Sequence, residues 1–477
     1  MRTLCGLAML LWAGLASAHV GSPDVFLEGK AGPYPVFVTV RPPEVIPGVA
    51  DVEVRVPDGD GVVVHVVPAP LLGQGAQFAP LADLAKPLGD EKNAFSGHLW
   101  MMSLGSWQVR VSVEGPRGSG VLAVPVPALP MRTKQMQSSL GMLLGALAVL
   151  LVLALGGIVA GAAREATLAP GAEVERPRAM RARWVGILTF VLASAGTWGG
   201  WRWWQAEARA YDQKIYKPLG LAASVEKNGE RARLRLTMVN PPWLHRSAQD
   251  LLPDHDHLMH LFMVSTALDQ VWHLHPARDP DGVFSVELPT VPAGTYRLYA
   301  DIVHVSGVPE TATGELSLPA PVGSRVLDGD DAAGLAPKFG AATTRTAPFG
   351  DGGQLVWLDD EPLRAQKAHA FRFRIEDRPG HPAEDVELYM GMLGHGMFVV
   401  PDGSMFAHIH PSGSVPMAAL LLTDAVKDPH AHHQMGVLPS EVGFFYGLPK
   451  AGSYRLFVQV KRGGKIETAA FDVKVEP

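Results

Sequence analysis

Two stretches decide the reading of this chain: HLFMVSTALDQVWHLHP at residues 260–276 and HGMFVVPDGSMFAHIHP at residues 395–411. Each begins on a histidine, reaches a second histidine 13 residues later, and closes on His-x-His-Pro. The later sequence repeats as well, with AGTYRLY at 293–299 answered by AGSYRLF at 451–457. The distance between the two landmarks is 23 residues longer in the second copy, so that copy carries an insertion, which holds His430, His432, His433 and Met435. Internal repetition at this scale identifies a duplicated structural unit. GSWQVRV at 105–111 is a weaker echo.

The units read as β-structure. Short runs such as PVFVTVRP, RARLRLTMV, AFRFRIED and GSYRLFVQVK alternate apolar and polar residues between turn signals, as strands with one buried face do. The expected fold is mainly β: three Ig-like antiparallel β-sandwich domains at residues 19–130, 219–320 and 353–477, with two transmembrane α-helices. A Gly, Ala, Pro and Asp-rich stretch at about 320–352 reads as a linker.

Residues 1–18, MRTLCGLAMLLWAGLASA, have the charged start, apolar run and small-residue end of a signal peptide, whose cleavage would leave His19 first. Residues 140–163 carry no charge over 24 positions, and a second apolar run lies within 184–204. Both are long enough to span a bilayer core of about 30 Å. The loop at 164–183 holds five arginines, which places it in the cytoplasm and both soluble parts on the extracytoplasmic, periplasmic side of the inner membrane. The bilayer, reached through two helices, is thus an expected partner.

Composition removes several functions. The net charge of −6 offers nothing to a phosphate backbone, so no nucleic-acid partner is expected. The one cysteine, Cys5, falls in the signal peptide, which leaves the mature chain without disulfides, thiolate metal sites or thiol nucleophiles. GxSxG, P-loop and HExxH patterns are missing, and no Glu or Asp stands at a fixed spacing to His as an acid or base would. The balance leans away from an enzyme.

Histidine is where the chemistry concentrates, with 15 of 18 in residues 205–477. In a strand, residues i and i+2 share a face, so each HxH pair presents two imidazoles side by side. A two-residue hairpin turn at Asp402-Gly403 pairs positions whose numbers sum to 805: His395 faces His410, and Met397 faces His408. In the first copy the same rule sets His260 opposite His275 and Phe262 opposite His273, with a wider turn at Ala267-Leu268. The candidate metal ligands are therefore His260, His273, His275, His395, His408, His410 and Met397, with His255, His257, Met259, His304 and Asp301 near the first set. Imidazole with thioether and no thiolate suits copper, as Cu(I) or Cu(II), in an oxidising compartment; zinc suits a His-only site. In the N-terminal domain His19, with its α-amino group, could form a histidine brace with His65, His98, Met101 or Met102 nearby. Paired histidines are also ordinary polar strand residues, and duplication copies structural residues along with functional ones. His245, His304, His369 and His381 read as structural.

GHGMFVVPDGSMFAHIHPSG at 394–413, followed by PKAGSYRLFVQVKRGGKIETAAFDV at 449–473, resembles exported Ig-like modules of the YtkA/FixH-like type, which are membrane-anchored. The resemblance extends to the first copy and, through HLWMMSLGSWQVRVSV at 98–113, to the N-terminal domain. It implies a β-sandwich and a link to copper handling, with the six histidines as its motif. Phe262 stands where the second copy has Met397, which sets the two sites apart in metal preference. The first expectation is a non-enzymatic, membrane-anchored protein for copper storage, delivery or homeostasis, working with a metal chaperone or a membrane complex. A copper-dependent oxidoreductase with a histidine-brace or His-rich site, and a metal-free assembly module, are the alternatives.

Overall fold

The computed structural model describes residues 23–73, 75, 78–89, 91–239, 249–340, 345–423 and 438–477. The expected signal peptide, His19, His245 and the histidines of the insertion lie outside them. The chain forms two compact units: residues 1–129 with 217–477, and residues 130–216.

The larger unit is almost entirely β. In the N-terminal part, Val25–Ala31, Tyr34–Arg41, Gly48–Arg55 and Ala94–Met101 form one antiparallel sheet, and Val63–Pro70, Gly105–Gly115 and Gly118–Ala128 another. Alternate valines enclose a core between them, including Val36, Val38, Val52, Val54, Val64, Val66, Val109 and Val111. In the first repeat, Gly294–His304 lies between Pro309–Leu318 and His260–Ser265, which pairs onward with Gln270–Leu274. Its core holds Leu234, Leu236, Leu261, Met263, Trp272 and Leu298. The second repeat has the corresponding order, with Gly452–Arg462 between Lys465–Glu476 and His395–Val399, which pairs with Phe406–Ile409. Phe371, Phe373, Phe398, Ile409, Leu456 and Phe471 fill its core.

The hairpin registers follow the expected sums: Met397 pairs with His408, and Phe262 with His273. The turn at Asp402-Gly403 is longer than the expected two residues, because the Val400 amide donates to Met405 and the loop spans 401–404. Its centre is unchanged, with Gly403 at φ +72°, so the register is unchanged too. The expected linker is ordered in part: Ala332–Leu335 adds an edge strand to Gln270–Leu274, pairing Ala332 with His273.

His260–Ser265 and His395–Val399 are buried at every position, so both faces of each strand are covered. One face looks into its own domain. The other meets the neighbouring repeat, where Phe262, Val264, Val271, Tyr299, Met397, Val399, Phe406 and Phe457 form a separate apolar cluster. Tyr299 and Phe406 stack there with ring centroids 4.3 Å apart. The N-terminal part joins the same assembly. Phe26 enters the core of the second repeat against Phe445 and Tyr446, while the Glu28 amide donates to Ser412 and the Ser414 amide to Phe26.

The smaller unit is a pair of helices, α1 (Ser138–Glu165) and α2 (Arg176–Asp212). Small residues let their backbones approach: a Cβ on Gly186 would lie 2.8 Å from that of Ala160. Among the described residues only α1 is long and apolar enough to cross a membrane, not both helices as expected. The run within 184–204 lies inside α2, where Thr189, Thr197, Ser194, Gly196, Gly199 and Gly200 dilute its apolar character.

Replacing Phe406, 1% exposed in the inter-repeat cluster, by Ala should cost about 3–5 kcal/mol. Denaturant unfolding of the detergent-solubilised chain measures it; a loss below about 1 kcal/mol would mean that the two repeats do not depend on this cluster.

Candidate metal centre

At one end of the inter-repeat cluster the apolar residues give way to imidazoles from both repeats. The first repeat gathers its own three motif histidines as expected, whereas the second group takes His255 of the first repeat where His408 was expected. His260, His273 and His275 bring one ring nitrogen each within 4.8 Å of one another, and so do His255, His395 and His410. The groups adjoin, with His260 and His273 ring centroids 5.6 and 5.8 Å from that of His408. His408 in turn lies 4.6 Å from His410 and 5.4 Å from His395.

Hydrogen bonds fix which nitrogen each ring leaves open. In the first group His260 Nε2 lies 3.0 Å from the Asp254 carbonyl oxygen, which can only accept, so Nε2 carries the proton and Nδ1 keeps its lone pair. His273 Nδ1 lies 3.0 Å from Gln459 Oε1 and 3.2 Å from the Tyr389 hydroxyl. Gln459 Nε2 donates to Thr468 and the Tyr389 hydroxyl donates to the Asp330 carbonyl, so both groups accept from His273, whose Nε2 is then bare. His275 Nδ1 donates to the Asp331 carboxylate at 2.9 Å, which Arg325 also holds. Burial pushes that carboxyl up, yet the hydrogen bonds from His275 and Arg325 keep it below its usual range.

The consequence is a confrontation of acceptors. His260 Nδ1 and His273 Nε2 face each other at 3.2 Å, each with a lone pair and no proton between them. Two ligand nitrogens on a tetrahedral ion at about 2.0 Å would stand about 3.3 Å apart, so the pair is spaced as a metal requires. His275 Nε2 is buried nearby without a hydrogen-bond partner.

The second group shows the same deficit. His255 Nε2, His410 Nε2, His408 Nε2 and both nitrogens of His395 are buried and unpartnered. The Val415 carbonyl accepts from His410 Nδ1 at 3.4 Å, the Met390 backbone holds His255, and Asp301 lies 3.3 Å from His408 Nδ1. A buried polar atom without a partner costs about 1–3 kcal/mol, and native proteins hold few of them. Five neighbouring rings thus each have an open nitrogen suited to a cation, with the proton of His395 on its other nitrogen. Each tether through the opposite nitrogen is the outer-shell support that metal-binding histidines have.

Electrostatics agrees. Burial drives the pKa of His260, His273, His395 and His410 well below 6.5, and repulsion from neighbouring imidazoles adds to it. Burial also lowers His255 and His275. The rings are neutral at pH 7, the state a metal ion binds.

His257 stacks on His275 with ring centroids 3.9 Å apart and lies 3.2 Å from Asp330; the other candidates are dispersed. Met397 lies on the expected face, but among Phe262, Val399 and Phe457 in the apolar cluster. Met259 is in the first-repeat core. His304 bridges Asp250 and Glu310 at 3.0 and 2.8 Å. His369 accepts from the Arg364 amide. His98 lies exposed on Asp51, Met101 is buried in the N-terminal core, and Met102 is exposed. Tyr389, Gln459, Asp330 and Asp331 were not legible as site residues. One signal was available: the residues after each GTYRLY-like motif correspond at a constant offset, so Asp301 and Gln459 are equivalent positions.

Residues 220–318 and 348–477, the two repeats, match the model of a family described as a domain of unknown function, DUF8832. No curated protein matches the chain. Among solved structures it is similar to a tetra-tandem repeat from the extending region of a large adhesion protein, at 9% identity over 94% of this chain and 82% of that one, with a TM-score of 0.16. A putative membrane-anchored protein from Corynebacterium diphtheriae matches at 10% identity over 95% and 99% of the chains, with a TM-score of 0.15. At these scores neither likeness carries an argument about fold or function.

Because the folded state holds these histidines with lowered pKa values, the unfolded chain takes up more protons once the pH drops. Stability of the metal-free protein should be complete above pH 6.5, the ordinary histidine value, and fall as the pH passes below it. Thermal midpoints between about pH 7.5 and 5.5 test this; a midpoint that stays level or rises on acidification contradicts neutral, buried rings.

Proposed function

We propose that this is a membrane-anchored, extracytoplasmic metal-binding protein whose two C-terminal repeats hold transition-metal ions between them, copper first and zinc as the alternative at an all-imidazole position. One observation carries the reading: neutral, buried imidazoles from both repeats turn unpartnered nitrogens toward one another at metal-ligand spacing. A non-enzymatic role in holding or delivering metal agrees with burial of the ligands. The YtkA/FixH-like resemblance, with its copper link, points the same way. Three Ig-like sandwiches, with a signal peptide at 1–18, would form the exported part.

The compact unit supports the topology. Residues before and after the helical pair belong to one folded body, so they share one side of any membrane. A chain that crosses at α1 must therefore return, and α2, although less apolar than α1, is the segment proposed to do so. Its Trp198, Trp201, Trp203 and Trp204 suit the outer interface, and the arginines between the helices suit the cytoplasm.

Titrating the detergent-solubilised full chain with Cu(I), Cu(II) and Zn(II), with metal content measured after dialysis, tests the function. Wild type should hold metal, and His260→Ala with His395→Ala should weaken binding by about 100-fold or more, since outer-shell changes alone cost about 10–100-fold. Wild-type stoichiometry and affinity in the double variant would overturn the reading.

A further inference from the structure

The correspondence between the repeats runs further back than the histidine motif. At the same 135-residue offset, Asp254–His260 aligns with Tyr389–His395. Both segments open with the same tight turn. Asp254 and His257 exchange backbone hydrogen bonds at 2.8 and 2.9 Å, and Tyr389 and Met392 at 2.7 and 3.1 Å. Both turns place two successive residues in the left-handed region: His255 and Asp256 at φ +48° and +68°, Met390 and Gly391 at φ +50° and +78°.

These turns carry ligands outward. His255 belongs to the first repeat, yet its open nitrogen joins His395 and His410 of the second. Met390 is its equivalent on the other side, and its backbone contacts His255. A left-handed conformation is unfavourable for a long side chain such as methionine, and residues held that way concentrate at functional sites.

The exchange across the interface is already reciprocal elsewhere. His273 of the first repeat is held by Gln459 of the second, and His408 of the second faces Asp301 of the first, with Asp301 and Gln459 equivalent. These two exchanges relate the repeats by an approximate two-fold, though Asp254 holds His260 of its own repeat where its equivalent Tyr389 reaches His273 of the other. The two-fold assigns to Met390 the role toward His260, His273 and His275 that His255 has toward His395 and His410.

Resting on the metal-binding reading above, we propose that the centre has two adjacent, unlike positions: one of three imidazoles completed across the interface by the Met390 thioether, the other entirely of imidazoles. The thioether selects Cu(I) at the first position. The all-nitrogen position takes Cu(II) or Zn(II) as readily.

The test is X-ray absorption at the copper edge on the full chain in detergent, loaded with one equivalent of Cu(I). Wild type should show a sulfur neighbour at about 2.3 Å beside nitrogen. Met390→Leu should lose the sulfur and bind Cu(I) at least about tenfold more weakly, with Zn(II) affinity unchanged at the other position. Met390→His should bind tightly through nitrogen alone, which separates loss of a ligand from loss of the fold. Met397→Leu and Met259→Leu should keep the sulfur. Wild-type copper bound by nitrogen only overturns the proposal while leaving the histidine site standing, as does sulfur that persists in Met390→Leu. Wild type that binds no metal overturns both.

Discussion

The structure depends on neutral imidazoles being buried with lone pairs turned toward one another. Such an arrangement is unfavourable among protein groups alone: the open nitrogens meet no protein donor, and protonation would place charge in an apolar interface. The repeats nevertheless hold these rings by well-made hydrogen bonds through the opposite nitrogen, at Asp254, Gln459, Tyr389 and Asp331. Hydrogen bonds that fix a lone pair where no protein donor stands suit the cation proposed above. The apolar cluster of Phe262, Met397, Phe406 and their neighbours packs the two repeats together beside the rings.

Duplication explains how such an interface arises. Two copies of one hairpin facing each other across an approximate two-fold axis give every contact twice, as in a symmetric dimer. Fusion into one chain then lets the copies diverge. Gln459 and Asp301 are equivalent but differ in charge, so His408 has a carboxylate beside it where His273 has an amide.

Much of this was legible in the residues. The HxHP repeats and the turn centred on Asp402-Gly403 set both hairpin registers, because a turn centre determines every pair in an antiparallel hairpin. The six motif histidines were identifiable on the same grounds. Face-to-face docking was harder to read, since pairing rules act within a sheet and not between sheets. A hint lay in HLFMVS and HGMFVV, whose continuous apolar character belongs to strands covered on both sides. His255 was visible as a neighbour of the first set, but its reach to the second repeat depends on a left-handed turn that no spacing rule places. Asp331 was hidden for another reason: a Gly- and Ala-rich stretch reads as linker, whereas Ala332–Leu335 is held as an edge strand by Gln270–Leu274. Apolar length favoured two membrane helices, and glycine, serine and threonine within α2 left one that qualifies by composition.

An ion within each of the two sets of rings is what the proposed function requires. Anomalous diffraction from crystals of the full chain grown with copper, collected on either side of the copper edge, measures this directly. The account predicts anomalous peaks at His260, His273 and His275 and at His255, His395 and His410, with the open nitrogens directed at them. Copper found only at the surface, with these rings turned away from a common point, would contradict it.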